Sequence, residues 1–360
     1  MPESPPEIVN VLVLTRGSPA VVDRIKAVAP ERLNVTYAWP DFVPEMMNDW
    51  EEGMMRRYAG DSVPARTAEE CEVLVRDAHV IYMAVPFPKT IPSRAPNLRW
   101  AHFSFAGVSN LVNSQWWGFE GVPLTSSRGW TNALPIAETV IGATFMFAKK
   151  LDWAVERSMA GTAHEVAGFP GMKLIAGKTM GIVGLGGIGG NVARLAKGLG
   201  MRVIATRRSA TQRVSNVDGV DEMFPVSELP ALMAESDFIV VCAMLTPETE
   251  GLINRVAFEA VKPGAYFINV ARGEIVDEDA LVDALSTGRL AGAYLDVWRN
   301  DFALPPSEAL LDAPNLIFTP HVSGRVDQTH AFATELFLEN LRCFLDGEAL
   351  ENVIDWERGY

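Results

Sequence analysis

The sequence predicts an α/β protein built from two doubly wound parallel sheets. Three observations carry this reading. Short apolar runs of strand length alternate with segments of helical periodicity. One strand–turn–helix–strand unit, Lys178 to Ser209, places Gly184, Gly186 and Gly189 at G-x-G-x-x-G spacing. At 360 residues, the chain has the length of two domains.

Taken in order, Ile8 to Leu14 (IVNVLVL) reads as a buried strand, Ser18 to Ala29 as a helix with Pro19 in its first turn, and Val35 to Tyr37 as the next strand. Pro44 to Tyr58 sets Met46, Trp50, Met54 and Tyr58 on one helical face. That stripe suits core packing or, alternatively, an adaptable methionine-rich wall or lid beside a substrate. Glu69 to Arg76 is a further helix and His79 to Val85 a strand, after which Pro86, Pro88, Pro92 and Pro96 break regular structure. Leu98 to Leu111 begins as a strand and runs into Ala106-Gly107-Val108, a small-residue turn whose amides suit a carboxylate. Trp116, Trp117 and Trp130 follow and suit a domain or subunit interface. Thr131 to Lys150 is a long apolar helix with Thr131 or Asn132 as N-cap and Pro135 in its first turn. Glu138, stranded in that apolar stretch, demands a polar partner. Beyond the glycine unit, strands at Phe238 to Ala243, Tyr266 to Val270, Gly292 to Asp296 and Leu316 to Thr319 are separated by helices that include Ser227 to Glu235 and Asp279 to Leu285. A last helix, His330 to Leu345, leads to the tail.

Each glycine of the central unit has its own physical reason. Gly184 permits the tight turn, Gly186 lets the backbone approach a pyrophosphate, and Gly189 lets the helix pack against its strand. With Gly187 and Ile188 the loop opens a helix whose free N–H groups face the phosphates. The flanking strands and helix make this a dinucleotide site rather than a bare glycine turn. An NAD site normally ends its second strand on Asp or Glu, which binds the ribose 2′-hydroxyl. Here Thr206-Arg207-Arg208-Ser209 stands in that place. A carboxylate would repel a 2′-phosphate, whereas guanidiniums offer it charge-assisted, bidentate bonds. The pair favours NADP(H) over NAD(H); the plainer reading is two solvated arginines.

A formal charge of −14 argues against general affinity for nucleic acid or anionic membranes. Cys71, Cys242 and Cys343 lie far apart without C-x-x-C spacing, so they read as small hydrophobes in a reducing compartment, with neither a disulfide framework nor a metal site. The N-terminus lacks the pattern of a signal peptide, and no apolar run approaches a membrane span. The expectation is a soluble, cytoplasmic protein.

Four residues at or just beyond strand ends in the dinucleotide half suggest chemistry. Arg272, in FINVARGEIVDEDAL, is placed to hold a carboxylate and polarise a carbonyl. His321, in LIFTPHVSG, carries a group that exchanges protons near neutrality. Asp296 and Asp301, in GAYLDVWRNDF, lie between them, and either could orient the imidazole. Singly, each has a bland structural reading; together, in one domain, they make a site.

With those residues in view, the chain resembles the D-isomer-specific 2-hydroxyacid dehydrogenase family, in particular its NADP-type, glyoxylate/hydroxypyruvate reductase-like members. The motifs are GLGGIG at Gly184 to Gly189, NVARGEIVD at Asn269 to Asp277, LDV at Leu295 to Val297 and TPHVSG at Thr319 to Gly324. The likeness extends to PNLRWAHFSFAGVSNL, TNALPIAE, TPETEGLIN and KPGAYFINV, most of the chain. It implies a Rossmann dinucleotide-binding domain (128–321) inserted into a flavodoxin-like substrate-binding domain (1–127 with 322–360). It also implies a homodimer with the Thr131 to Lys150 region at its interface.

By position, the resemblance makes Arg272 the ligand of the substrate carboxylate and carbonyl, His321 the acid/base and Asp301 its partner. The family usually has Glu there, so Asp301 is one methylene short. Ala106, Gly107 and Val108 would bind the substrate carboxylate, with Ser109 where the family has Asp. Asp296 would sit near the nicotinamide. Leu245, Thr246 and Thr249, then Val270, Ala271, His321 and Gly324, would complete the cofactor site, with Met244 where a proline is common. The implied reaction is hydride transfer between NADP(H) and a 2-keto or D-2-hydroxy acid. Arg272 would stabilise the developing oxyanion and His321 would deliver the proton. Glyoxylate, hydroxypyruvate and bulkier 2-keto acids all fit. Two other readings are a nucleotide-sensing, corepressor-like protein on the same scaffold and a formate- or phosphonate-type dehydrogenase. The formate enzymes place Gln at the position of Asp301.

Overall fold

The structure, a computed structural model, describes residues 5–16, 19–58, 62–128, 132–327 and 329–357. Ser18, Trp130 and Thr131 lie outside these residues, as do the side chains of Tyr58 and His330. The chain divides into two compact units, Met1–Thr131 with Asp327–Tyr360, and Asn132–Val326. Both are α/β with parallel sheets, the fold class that the sequence predicts.

The first unit holds strands β1 (Val9–Leu14), β2 (Leu33–Tyr37), β3 (Val80–Met83), β4 (Trp100–Phe103) and β5 (Leu124–Ser126), in the order β2-β1-β3-β4-β5 and all parallel. This is the flavodoxin-like order. Its strands are apolar and buried nearly throughout, as parallel strands covered by helices must be. The helix Thr329–Asp346 completes the core, with Phe337 stacked on Tyr82 and Trp100 at centroid distances of 4.3 and 5.2 Å. His102 lies buried in the same cluster, Nδ1 2.7 Å from Thr125 Oγ1 and Nε2 3.1 Å from Ser127 Oγ. Desolvation pushes its pKa down to about 3.

The expected single helix from Pro44 to Tyr58 is two, Trp39–Asp49 and Glu52–Tyr58, because Trp50 between them is extended (φ −121°, ψ 150°). The Trp50 indole fixes the break by donating to the Phe87 carbonyl at 2.7 Å and meeting the Phe87 ring edge-on. Met46 and Met54 are buried, so this part of the stripe is core. Trp116 is also fully buried, and Trp117 meets Trp356 edge-on at 5.4 Å.

The second unit carries β6 (Thr179–Val183), β7 (Arg202–Thr206), β8 (Val214–Val217), β9 (Val220–Phe224), β10 (Phe238–Val241), β11 (Ala265–Asn269), β12 (Leu290–Leu295) and β13 (Leu316–Phe318). Their order is β13-β12-β11-β10-β6-β7-β9-β8, parallel except for the β8–β9 hairpin. The chain runs outward from β6 through β7 to the β8–β9 hairpin, then crosses back to β10 on the other side of β6 and runs outward to β13. The glycine loop therefore leaves β6 at the switch point, where such sheets take up ligands.

The β8–β9 hairpin and the helix Leu151–Met159 go beyond the elements expected from the sequence. The Asp218-Gly219 turn, with both residues at positive φ (51° and 79°), was the legible sign of the hairpin. The long apolar helix runs Ala133–Ala148; Asn132 occupies its N-cap position without a side-chain cap bond. Glu138 is exposed there. Cys71 and Cys242 are buried free thiols, and Cys343 is partly buried. Among the described residues no helix is long and apolar enough to cross a membrane.

His102 sets a pH dependence with a definite sign. Unfolded, the imidazole takes a proton below its ordinary pKa of 6.5; folded, it does so only near 3. Between those values the unfolded state binds more protons, so stability falls as pH drops below 6.5, by at most about 1.4 kcal/mol per pH unit. Urea unfolding at pH 7 and pH 5 should show this loss in the wild type and less of it in His102→Gln. Equal losses would remove His102 as its source.

Candidate active site

The site of the second unit is assembled from loops that leave the C-terminal ends of its parallel strands. After β6, Gly184 turns at φ 98° and its N–H donates to Thr206 Oγ1 at 3.2 Å, while Leu185 N–H donates to the Thr206 carbonyl at 3.0 Å. Thr206, buried at the end of β7, thus shapes the glycine loop itself. A Cβ on Gly189 would sit 2.3 Å from the Gly184 carbonyl oxygen, so the close approach of helix Gly187–Gly198 requires glycine there. Around Gly186 a Cβ would meet nothing within 4 Å. Protein packing does not demand glycine at Gly186, whereas close approach of a ligand to the backbone does. With Gly187 and Ile188 in the first helical turn, and no side chain capping it, the loop fits a pyrophosphate.

At the end of β7, Arg207, Arg208 and Ser209 are exposed. Arg207 Nη1 lies 2.8 Å from Asp218 Oδ2. After β10, Thr249 Oγ1 accepts from Thr246 N–H at 2.8 Å and donates to the Met244 carbonyl at 2.6 Å, closing the Leu245-Thr246 turn on itself.

The loop after β11 is set by Asn269. Its side chain accepts from Ala271 N–H and donates to the Arg272 carbonyl, both at 3.0 Å, which shapes the turn through Val270 and Ala271 and leaves Arg272 half-buried. Next to it, a Cβ on Gly273 would fall 2.0 Å from the Trp298 carbonyl carbon. Only glycine lets the Arg272 loop touch the loop after β12. Two carboxylates then pin that second loop: Glu278 accepts from Arg299 N–H at 2.7 Å and Glu274 from Asn300 N–H at 3.2 Å. Burial raises the pKa of Glu278. Asp277 caps the helix Glu278–Ser286 by accepting from Ala280 N–H.

The pinned loop presents Asp301. Its Oδ2 is 2.5 Å from His321 Nδ1, with the carboxylate side chain 6% and the imidazole 21% exposed. The Phe302 ring lies 4.7 Å from the imidazole, centroid to centroid. His321 itself adopts φ 54°, a left-handed conformation that costs a non-glycine residue about 1–2 kcal/mol. Asp296 holds it there. The buried carboxylate accepts from Thr319 Oγ1 (2.5 Å), Val322 N–H (2.9 Å) and Ser323 N–H (3.0 Å). The Asp296 carbonyl accepts from His321 N–H at 2.8 Å, and the Asp296 N–H donates to the Asn269 carbonyl. Tyr294 extends the chain through its hydroxyl to Thr319 at 2.5 Å. Gly324 packs against Asn132, where a Cβ would lie 3.0 Å from its side chain.

The structure thus joins Arg272, Asp296, Asp301 and His321 through three interlocked loops. Asn269, Gly273, Glu274, Glu278, Tyr294 and Thr319 escaped the sequence reading as contributors. Asn269 and Gly273 were visible within the NVARGEIVD motif but had no physical role until the loop contact appeared. In the first unit, Ala106 and Gly107 lead into a 3₁₀ turn, Val108–Leu111, with Val108 buried.

The family model for the D-isomer specific 2-hydroxyacid dehydrogenase NAD binding domain matches residues 141–323. A glyoxylate reductase of Korarchaeum cryptofilum is 32% identical over 293 residues, spanning 78% of this chain and 83% of that protein. Among solved structures, a D-isomer specific 2-hydroxyacid dehydrogenase from Xanthobacter autotrophicus in complex with NADPH and MES matches with a TM-score of 0.74 at 26% identity, covering 99% of this chain and 100% of that one. An NADPH-dependent glyoxylate/hydroxypyruvate reductase from Sinorhizobium meliloti in complex with NADP and sulfate matches with a TM-score of 0.73 at 25% identity, covering 98% and 100%. Fold, glycine loop and relatives define a nicotinamide-dependent oxidoreductase. The chain belongs to the D-isomer-specific 2-hydroxyacid dehydrogenase family.

The two glycines separate packing from binding. Gly189→Ala should lower the melting temperature, because its Cβ meets backbone at 2.3 Å. Gly186→Ala should leave melting within error yet weaken dinucleotide binding at least about ten-fold. Unchanged binding by Gly186→Ala would disconnect the loop from the cofactor.

Proposed function

We propose that the protein reduces a small 2-keto acid of the glyoxylate or hydroxypyruvate class to a 2-hydroxy acid of D configuration, with NADP(H) preferred over NAD(H). The observation that carries this reading is the Asp301–His321 pair, held at 2.5 Å on loops interlocked with that of Arg272. When bound, the nicotinamide supplies the hydride. As the keto carbon is reduced, charge grows on its oxygen, and the Arg272 guanidinium stabilises it and holds the substrate carboxylate. Asp301 engages Nδ1, so His321 delivers the proton through Nε2, and the carboxylate balances the imidazolium. Oxidation of the hydroxy acid runs the same transfers in reverse. The shorter Asp301 side chain reaches His321 from a loop whose Arg299 and Asn300 amides are held by Glu278 and Glu274.

The preference for NADP(H) is supported by Arg207, Arg208 and Ser209 at the end of β7, and by NADPH or NADP in the related structures. Leu245, Thr246, Thr249, Val270, Ala271 and Gly324 remain cofactor candidates by resemblance, and Ala106, Gly107 and Val108 substrate candidates. We assign cofactor binding to unit Asn132–Val326 and choice of the substrate side chain to the other unit. Unpaired thiols suit a reducing cytoplasm.

Turnover of a 2-keto-acid panel with NADPH and NADH checks the reaction. His321→Ala and Arg272→Ala should each lose at least about a hundred-fold in kcat while still binding NADPH. Near-normal turnover by either variant would remove that residue from its role.

A homodimer is part of the same proposal. Helix Leu151–Met159 has no buried residue, and Leu151, Val155, Met159, Val166 and Phe169 are exposed. A second copy covering this apolar stretch accounts for it. Light scattering should return twice the chain mass, and a smaller mass for Val155→Asp; a wild-type monomer would refute the assembly.

A further inference from the structure

The β8–β9 hairpin adds to the cofactor-binding sheet a carboxylate that the sequence reading overlooked. Parallel pairing of β9 with β7 sets Phe224 beside Thr206, the residue before the arginine pair. The hairpin closes through the two-residue turn Asp218-Gly219, flanked by the Val217–Val220 pair. That turn holds Asp218 Oδ2 2.8 Å from Arg207 Nη1, with the two side chains 48% and 49% exposed. We propose that Asp218 is a cofactor-specificity residue that tempers recognition of a 2′-phosphate by occupying Arg207. The inference rests on the reading of Arg207 as a ligand of that phosphate.

The effect is electrostatic. A phosphate monoester carries close to two negative charges at neutral pH. Arriving at Arg207, it must share the guanidinium with a carboxylate already there, or displace it. An exposed ion pair is weak, so displacement is easy, yet the displaced carboxylate stays nearby on a two-residue turn and repels the phosphate. NADH has no 2′-phosphate and is indifferent to this contest. Asp218 therefore lowers the discrimination that two adjacent arginines would otherwise give. The turn itself does not need the carboxylate: Asn-Gly is a favoured pair for two-residue turns with both residues at positive φ, so Asp218→Asn removes the charge and keeps the hairpin.

The test is the dissociation constant of NADPH and of NADH, read by fluorescence titration of the full-length protein without substrate. Asp218→Asn should bind NADPH about three- to ten-fold more tightly, and NADH within about two-fold of the wild type, the gain shrinking as salt rises. Unchanged or weaker NADPH binding would overturn the proposal. Arg207→Ala separates the two layers. If it weakens NADPH alone while Asp218→Asn changes nothing, only the role of Asp218 falls. If Arg207→Ala leaves both cofactors unaffected, the reading of Arg207 falls, and this inference with it.

Discussion

The Asp296 carboxylate, 1% exposed, is the contact on which the geometry of the second unit's site rests. A buried carboxylate is costly unless donors surround it, and this one receives a hydroxyl and two amides from the segment that carries His321. Those bonds offset the left-handed backbone of His321, which would otherwise relax and turn the imidazole away. Because the Asp296 backbone also binds Asn269 and His321, the ends of β11, β12 and β13 behave as one body. The Asp301–His321 pair and the Arg272 loop are thus held in place by backbone contacts.

The fold was legible because parallel sheets write themselves as apolar runs separated by helices, and the glycine unit named its own order. Of the candidate site, Arg272, Asp301 and His321 could be singled out by their chemistry and their places after strands, and the structure sets Asp301 against His321 on loops interlocked with that of Arg272. What escaped was contact between loops distant in sequence. Gly273 reads as part of a motif, but the reason for it is the backbone of Trp298. Glu274 and Glu278 look like solvated charges on a helix start, yet each accepts an amide from the loop of Asp301. The β8–β9 hairpin escaped for a local reason, since β8 is exposed and polar and offers no hydrophobic alternation.

The acidic character of the chain gives meaning to its few local pairs. Arg202 and Arg213 are tied to Glu222, Glu228 and Glu235 around the hairpin, and the Arg213 guanidinium lies 4.0 Å over the Phe224 ring. These pairs are exposed, so each adds little stability. Their collective effect is to fix where the hairpin lies on the sheet edge, and with it the carboxylate presented to Arg207.

The discontinuity of the first unit has a consequence for biosynthesis. Its sheet is encoded before residue 132, but Phe337, Leu338 and Leu341, which fill its core, are encoded after the whole of the second unit. On the ribosome the inserted unit can close its own core first, while the strands made earliest wait with Tyr82 and Trp100 uncovered. Protection of those early strands then depends on the last helix to emerge. A chain stopped before that helix would retain a folded inserted unit attached to an open, adhesive sheet.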